Sequence, residues 1–414
     1  MVKALLVIAL IALVAGCSGD SADENFDPEV DDLFGGPTLR SPLNTYSTHS
    51  ANRYFSGTGQ ISNDPLRVDL STVISNPKWI TASSDSVFGM VWGVVGTDGR
   101  RATFQILNGE LSKLKIATLL EGEIISPPEL VVDDAGASEW INTTRVVQGE
   151  PKLRAMLSRL RNLPDASTVV DEAAIMYSYS DPTDRYPHGA LGDPTEWAGL
   201  AAGFIDGVRQ PDRFRLSDDE VFEGLFPLVA DLDGDGQNEI VTTVSDLVTG
   251  SRLVVFEYEE DQFRIIAESD PIGIGFRWLH QVAVAPFGPN GEVEIAVVRT
   301  PHIAGIAQFY RLAGDRLELV ASDRGGYMSH VNGSRNLDQA VAGDFDGDGS
   351  VELVLPSRDQ YTLIGLRRVG DSVEEVWQLS LGARLASNLV VIESEDGGLV
   401  LGAANEIGEL LLFQ

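Results

Sequence analysis

Asp344-Phe345-Asp346-Gly347-Asp348-Gly349-Ser350-Val351-Glu352 has a near twin in Asp231-Leu232-Asp233-Gly234-Asp235-Gly236-Gln237-Asn238-Glu239, and both read D-x-D-G-D-G-x-x-E. Apolar, strand-like runs flank each copy (Phe226 to Ala230 and Ile240 to Val244; Ala340 to Ala342 and Leu353 to Leu355), so each acidic loop joins two strands. Carboxylates at loop positions 1, 3, 5 and 9, with a carbonyl at position 7, suit a hard cation that takes six to eight oxygens, which is Ca²⁺. The glycines let the chain curl around the ion, because glycine reaches positive φ without steric cost. An EF-hand would place a bidentate Glu at position 12 of a helix-flanked loop. Here position 12 is Thr242 or Leu355 and the flanks are β-branched, which disfavours that reading.

The spacing and strand context of these two loops resemble the FG-GAP/VCBS repeat family, the blades of integrin-α-like β-propellers. The resemblance implies Ca²⁺ held between the first two strands of a blade. It carries two Ca²⁺ sites onto Asp231, Asp233, Asp235, Gln237 and Glu239, and onto Asp344, Asp346, Asp348, Ser350 and Glu352. It names a fold and an ion rather than an activity.

Degenerate copies extend the pattern. Turns aligned on the loop glycine occur at Asp98-Gly99, Asp133 to Gly136, Asn290-Gly291 and Asp396-Gly397, and Val169-Val170-Asp171 falls where a further unit is due. With the two intact copies these make seven units at a spacing of roughly 40 to 58 residues, which is the spacing of four-stranded propeller blades. The expected fold is all-β, a seven-bladed β-propeller. The last unit ends at Glu409-Leu410-Leu411-Leu412-Phe413, a third strand with no fourth after it. An open ring leaves two unpaired sheet edges, so an N-terminal strand within Leu66 to Ile74 is expected to supply the missing one. The stretch Pro151 to Arg161 has helix-like leucine spacing, yet in repeat register it falls on an outer strand pair, and strands are expected there.

The chain has 414 residues, 43% of them apolar, and a formal charge of −32. Such a field repels nucleic acid and anionic lipid surfaces. The sole cysteine, Cys17, closes Val14-Ala15-Gly16-Cys17, which resembles a bacterial lipobox after the basic Lys3 and a short apolar run. That run is too short to span a bilayer. The expectation is a signal peptide over 1–16, lipidation at Cys17, an acidic flexible tether over 17–50 and a propeller over 51–414, on an exported, lipid-anchored envelope protein. Ser18 after the cysteine favours outer-membrane sorting by analogy with enterobacterial rules.

In a propeller blade the loop joining strands one and two lies at one face, and the loop joining strands two and three lies at the other with the blade-to-blade connections. His188, Arg277, His280, Arg299, His302, His330 and Arg358 all map to the face without Ca²⁺ and form the candidate ligand site at the channel mouth. Arginine forks suit an anionic or carbohydrate-type ligand, with Trp278, Tyr186 and Trp197 as stacking walls. The plainer alternative is that these groups cap loops and neutralise neighbouring acids. Residues 179–222 read as an insertion, either a lid or a brace. No G-x-S-x-G, H-E-x-x-H or P-loop is present. His280, His302 and His330 are not spaced as a local metal-binding pair. The expected role is binding or scaffolding toward a protein or glycan partner. The alternative is a polysaccharide- or phosphoester-active enzyme using the channel-mouth His and Arg residues.

Overall fold

A computed structural model describes residues 51–74, 76–85, 89–107, 110–118, 129–132, 138–141, 167–171, 173, 175–204, 210–394 and 397–414. The signal, lipidation and tether expectations, the stretch 151–161 and the turns at 133–137 and 395–396 lie outside the described residues. Among the described residues every regular element is a strand, and no helix is long and apolar enough to cross a membrane.

Two N-terminal strands come first, β1 (Tyr54–Thr58) and β2 (Leu66–Asp69). An antiparallel meander follows: β3 (Pro77–Asp85), β4 (Gly89–Gly96), β5 (Arg100–Leu107) and β6 (Glu110–Thr118). After the pair β7 (Glu129–Val132) and β8 (Ser138–Ile141) comes β9 (Val169–Val170), β10 (Ile175–Thr183), β11 (Glu196–Phe204) and β12 (Asp212–Arg215), then the short β13 (Glu220–Phe222). The next meanders are β14 (Leu228–Ala230) to β17 (Gln262–Glu268) through β15 (Glu239–Asp246) and β16 (Gly250–Glu259), and β18 (Leu279–Ala285) to β21 (Arg316–Ser322) through β19 (Glu294–Arg299) and β20 (Ile306–Ala313). The last are β22 (Val341–Asp344), β23 (Glu352–Pro356), β24 (Thr362–Val369) and β25 (Ser372–Ser380), followed by β26 (Val390–Glu393), β27 (Leu399–Ala404) and β28 (Glu409–Phe413).

Burial falls from the first two strands of a unit to the last. β18 and β23 are buried at every position, whereas β17 and β25 are half-buried or exposed except at Ala267 and Leu379. That is why inner strands read as unbroken apolar runs and outer ones as alternating sequence. The hydrophobic core lies between consecutive units. One cluster joins Ala283, Ala296 and Phe309 to Ala342, Leu353 and Leu355; another joins Leu363 and Leu379 to Leu401 and Leu411; a third joins Val390 and Leu410 to Ile80, Trp92 and Phe104.

β2 pairs antiparallel with β28, with Leu66 opposite Leu412 and Val68 opposite Leu410, so the N-terminal strand completes the last unit as the unpaired edge requires. The chain before β2 takes an inner course. The carbonyls of Ala51, Asn52 and Arg53 accept the amides of Val229, Val284 and Ala342 in turn, each on the first strand of a different unit. β1 then runs parallel to β22, and the Thr58 amide donates to Gly397. Arg53 is buried beneath this crossing, ion-paired with Asp338 and 5.0 Å over the Phe226 ring.

Residues 179–222 are not an insertion. They carry the end of β10 and all of β11, β12 and β13, with β11 buried along almost its whole length. The strand signal is weak there because Trp197-Ala198-Gly199-Leu200-Ala201-Ala202-Gly203 has no β-branched residue. Small residues instead let neighbouring sheets approach closely.

Candidate functional site

Within each antiparallel meander, the turns joining strands one and two and strands three and four emerge at one end. The hairpins joining strands two and three emerge at the other, together with the unit-to-unit connections. The two ends differ in chemistry.

The first end carries the acidic loops. The loop between β14 and β15 and the loop between β22 and β23 repeat the same hydrogen bonds. Asp231 accepts the amides of Gly234 and Gly236 at 2.7 and 3.0 Å, as Asp344 accepts those of Gly347 and Gly349 at 2.9 and 3.1 Å. At position 9, Glu239 and Glu352 reach back to the amides of Leu232 and Phe345 at 2.7 and 2.9 Å. Gly234, Gly236, Gly347 and Gly349 sit at φ between 76° and 90°, the conformation the loop demands. One oxygen each from Asp344, Asp346, Asp348 and Glu352 lies within 4.8 Å of the others, and so do oxygens of Asp231, Asp233 and Glu239. Asp235 stands outside that second set and accepts the Gln237 amide at 2.7 Å; Gln237 and Ser350 likewise sit on the rim, their amides held by the preceding aspartates. Burial, then the crowded aspartates, pushes Glu239 up to about 7 and Glu352 up to about 8. Glu352 is fully buried and one of its oxygens has no partner of hydrogen-bond geometry, although the Trp377 indole N–H is directed at it. An all-oxygen donor set with a buried, unsatisfied carboxylate oxygen fits a hard divalent cation.

The opposite end carries the histidines, and His188, His280, His302 and His330 are brought together. His302 Nε2 and His330 Nε2 lie 2.9 Å apart, and His280 hydrogen-bonds Ser329 through Nδ1 at 2.7 Å. The His280 ring stacks on Trp278 with centroids 4.6 Å apart, and the His330 ring meets the same indole edge-on at 4.9 Å. His188 hydrogen-bonds Glu223 through Nδ1 and packs against Phe276. Burial first, then the Arg53 charge, pulls His280 down to about 3; burial and its imidazole neighbours hold His330 well below the ordinary range, and burial with His188 lowers His302. His280, His302 and His330 are therefore neutral at pH 7, with one imidazole of the His302–His330 contact donating to the other.

The remaining residues of the expected site are not gathered with them. Arg277 is half-buried and donates to its neighbour's carbonyl, the Phe276 oxygen, at 2.8 Å. Arg299 ends β19, and Arg358 is exposed on the β23–β24 hairpin. Trp278, Tyr186 and Trp197 are buried and cannot wall an open pocket; Trp197 spends its indole N–H on the Gly224 carbonyl at 2.8 Å. The aromatic rings exposed at this end among the described residues are Phe276 and Tyr361. Among the described residues, the groups able to converge on a metal are the two carboxylate sets, so no histidine trio forms.

Beneath the histidines lie residues that carried no sequence signal. Glu223, fully buried, accepts from Ser245 and Ser251 as well as meeting His188. Glu196 is buried beside it, with neither oxygen in hydrogen-bond geometry although the Gly224 amide is directed at it. Burial and the Glu223 charge raise its pKa well above the carboxylate range. Glu196 opens β11 and Glu223 directly follows β13; isolated glutamates at strand ends resemble edge residues in sequence, and only the fold puts these two side by side.

The histidine end is also the apolar end. Of the twelve exposed large hydrophobic side chains among the described residues, eight lie there: Leu247 and Val248, Ile303, Tyr361 and Ile407 on four successive hairpins, with Ile274, Phe276 and Val331 on the connections. The turns of the acidic end carry pairs such as Glu260-Asp261, Gly314-Asp315 and Gly370-Asp371 instead.

No family model matches the chain, and no curated protein matches it. Among solved structures it is similar to BamB from Moraxella catarrhalis, with a TM-score of 0.36 and 12% identity over 80% of this chain and 83% of that one. A likeness this slight bears on neither fold nor function.

Proposed function

We propose that the chain is an exported, lipid-anchored, seven-bladed β-propeller of FG-GAP/VCBS type, stabilised by two Ca²⁺ ions, that acts as a binding or scaffolding module for a protein partner in the cell envelope. The lipobox-like Val14-Ala15-Gly16-Cys17 supports export and anchoring, and the strand exchange between β2 and β28 supports a closed ring. The ion's part is structural: Asp231, Asp233 and Glu239, and Asp344, Asp346, Asp348 and Glu352, would hold Ca²⁺ between the first two strands of their units, where it offsets carboxylate repulsion.

The observation that carries the binding role is the asymmetry of the two ends. Soluble surfaces scatter large apolar side chains singly, whereas a set gathered at one face marks an interaction site. The face combines Leu247, Val248, Ile303 and Ile407 with Phe276 and the exposed Arg358 and Arg384, in a chain whose net charge is −32. That chemistry fits a protein surface offering apolar side chains with acidic neighbours. The test is affinity capture from the cell envelope with the wild-type chain and a Val248→Asp, Ile303→Asp, Ile407→Asp variant, beside a Gln262→Asp control on an outer strand. A defined protein held by wild type and control but lost from the variant supports the role. Capture unaffected by the three substitutions overturns it.

A second reading rests on the Glu196–Glu223–His188 cluster. Two buried carboxyl groups side by side beside an imidazole, with Glu196 raised well above the carboxylate range by burial and the Glu223 charge, suit acid–base catalysis on a polysaccharide or phosphoester. Turnover of such a substrate that disappears in Glu223→Gln, with the fold intact, would favour it.

A further inference from the structure

A third loop occupies the same position as the two acidic ones. Pro286-Phe287-Gly288-Pro289-Asn290-Gly291-Glu292-Val293-Glu294 joins β18 to β19, and alignment on Gly291 with Gly236 and Gly349 puts Glu294 at position 9. The aspartates of positions 1, 3 and 5 are gone, yet the buried glutamate stays. Two guanidinium groups hold it: Arg311 donates to one oxygen at 2.6 Å, and Arg368 of the next unit donates through Nε to the other at 2.8 Å. Arginine has taken the place a cation fills.

The third strand of each unit supplies the difference. Glu352 pairs across the sheet with Arg367, whose guanidinium is ion-paired with Asp348 and lies 4.0 Å from Asp346. In the β19–β20 ladder Ile295 pairs with Tyr310, so the next position along sets Arg311 opposite Glu294. In the β15–β16 ladder Ile240 pairs with Phe256, so the next position along sets Glu257, a carboxylate, opposite Glu239.

Resting on the calcium reading above, we propose that these loops are three settings of one site, in which the third-strand residue facing position 9 decides the occupant. The 231–239 loop, faced by Glu257, takes the divalent cation tightly. In the 344–352 loop the cation competes with the Arg367 guanidinium for Asp348 and binds weakly. The 286–294 loop holds arginine permanently and takes no metal. The physical cause is that a unit positive charge about 5 Å from a divalent ion costs about tenfold in affinity even in water-like surroundings.

The test is calorimetric titration of chelator-stripped full chain with calcium alone, using Asp233→Ala or Asp346→Ala to leave one loop at a time. The 231–239 loop should bind about tenfold more tightly than the 344–352 loop. Arg367→Gln should tighten the 344–352 loop about tenfold and leave the other unchanged, while Arg367→Lys, which keeps the charge, should stay weak. Far-UV circular dichroism checks that each variant folds. Equal affinities, or an Arg367→Gln titration identical to wild type, overturn this inference and leave two calcium loops standing. No calcium heat from the wild-type chain overturns the calcium reading itself.

Discussion

Replacing Glu294 by Gln removes the charge from the centre of a buried junction between two units while keeping its shape. Glu294 is fully buried, and the Arg368 side chain is 2% exposed. Arg368 donates twice to the carboxylate, at 2.8 and 3.3 Å, and spends Nη1 on the carbonyls of Gly370 and Ser372 at 2.5 and 3.2 Å; it also lies 5.8 Å over the Phe309 ring. The neutral amide can accept through only one atom, and its NH₂ must then face a guanidinium. Breaking a buried pair from one side costs about 3–5 kcal/mol, because a charge is left without its partner. Arg311 adds little of this, being one-third exposed and screened by water. At about 2 °C per kcal/mol for a chain of this size, the melting temperature should fall by about 6–10 °C. The loss should be the same in excess calcium and in chelator, since no metal sits in this loop. The double change Glu294→Met with Arg368→Met should recover most of it, apolar side chains of similar length removing both charges at once. Differential scanning calorimetry of the three proteins decides the matter. A fall below about 1 °C for Glu294→Gln, or a double variant no better than the single one, would refute the reasoning.

Other outcomes follow from the same geometry. Val68→Asp puts a charge into the 6% exposed side of the closing strand and should cost about 3 kcal/mol or more in urea unfolding, while Arg67→Ala, on the solvent side opposite, should cost under about 1 kcal/mol; equal losses would show that β2 does not seal the last unit. His280, held at about 3 against about 6.5 in the unfolded chain, stabilises the fold fully above pH 6.5, and that contribution is lost as pH falls toward 3. His280→Gln should therefore flatten the pH dependence of stability by about 1.4 kcal/mol per unit within that window, and an unchanged slope between pH 6 and 4 would contradict the neutral cluster. Glu196 has the opposite sign: its raised pKa favours the protonated form, so stability declines as pH rises above the ordinary carboxylate range, and Glu196→Gln should be the more stable protein at pH 8 by chemical denaturation. Calcium at 100 times its dissociation constant should add about 2.7 kcal/mol per loop, and Asp233→Ala should remove the share of its own loop; a melt unaffected by chelator would exclude the ion.

Much of this was legible in the chain because repetition leaves marks that one element does not. The two D-x-D-G-D-G-x-x-E loops fix which strands are first and second in their units, and the edge of a three-stranded last meander foretells the pairing of Val68 with Leu410. The same register placed His188, His280, His302 and His330 at one end, where the rings of His280, His302 and His330 come into contact while His188 meets Glu223 and Phe276 instead. The pairing of Glu294 with Arg368 was not legible, since seventy-four positions separate them and neither stands in a motif. Nor was the course of Ala51 to Arg53 along the first strands of three units, because no motif or alternation marks those residues and only the fold shows that the amides of Val229, Val284 and Ala342 need partners. The span 179–222 misled because strands built of alanine and glycine lack the β-branched pattern that marks the others.

The claim at the centre of this account is that the chain works through the end carrying the histidines and the apolar hairpin tips. A photo-cross-linking residue placed in turn at Val248, Ile303 and Ile407, and at Asn290, Asp315 and Asp371 on the acidic end, tests it in cells that make the protein. Discrete protein adducts from the first three positions and none from the second are expected; adducts confined to the acidic end would contradict it.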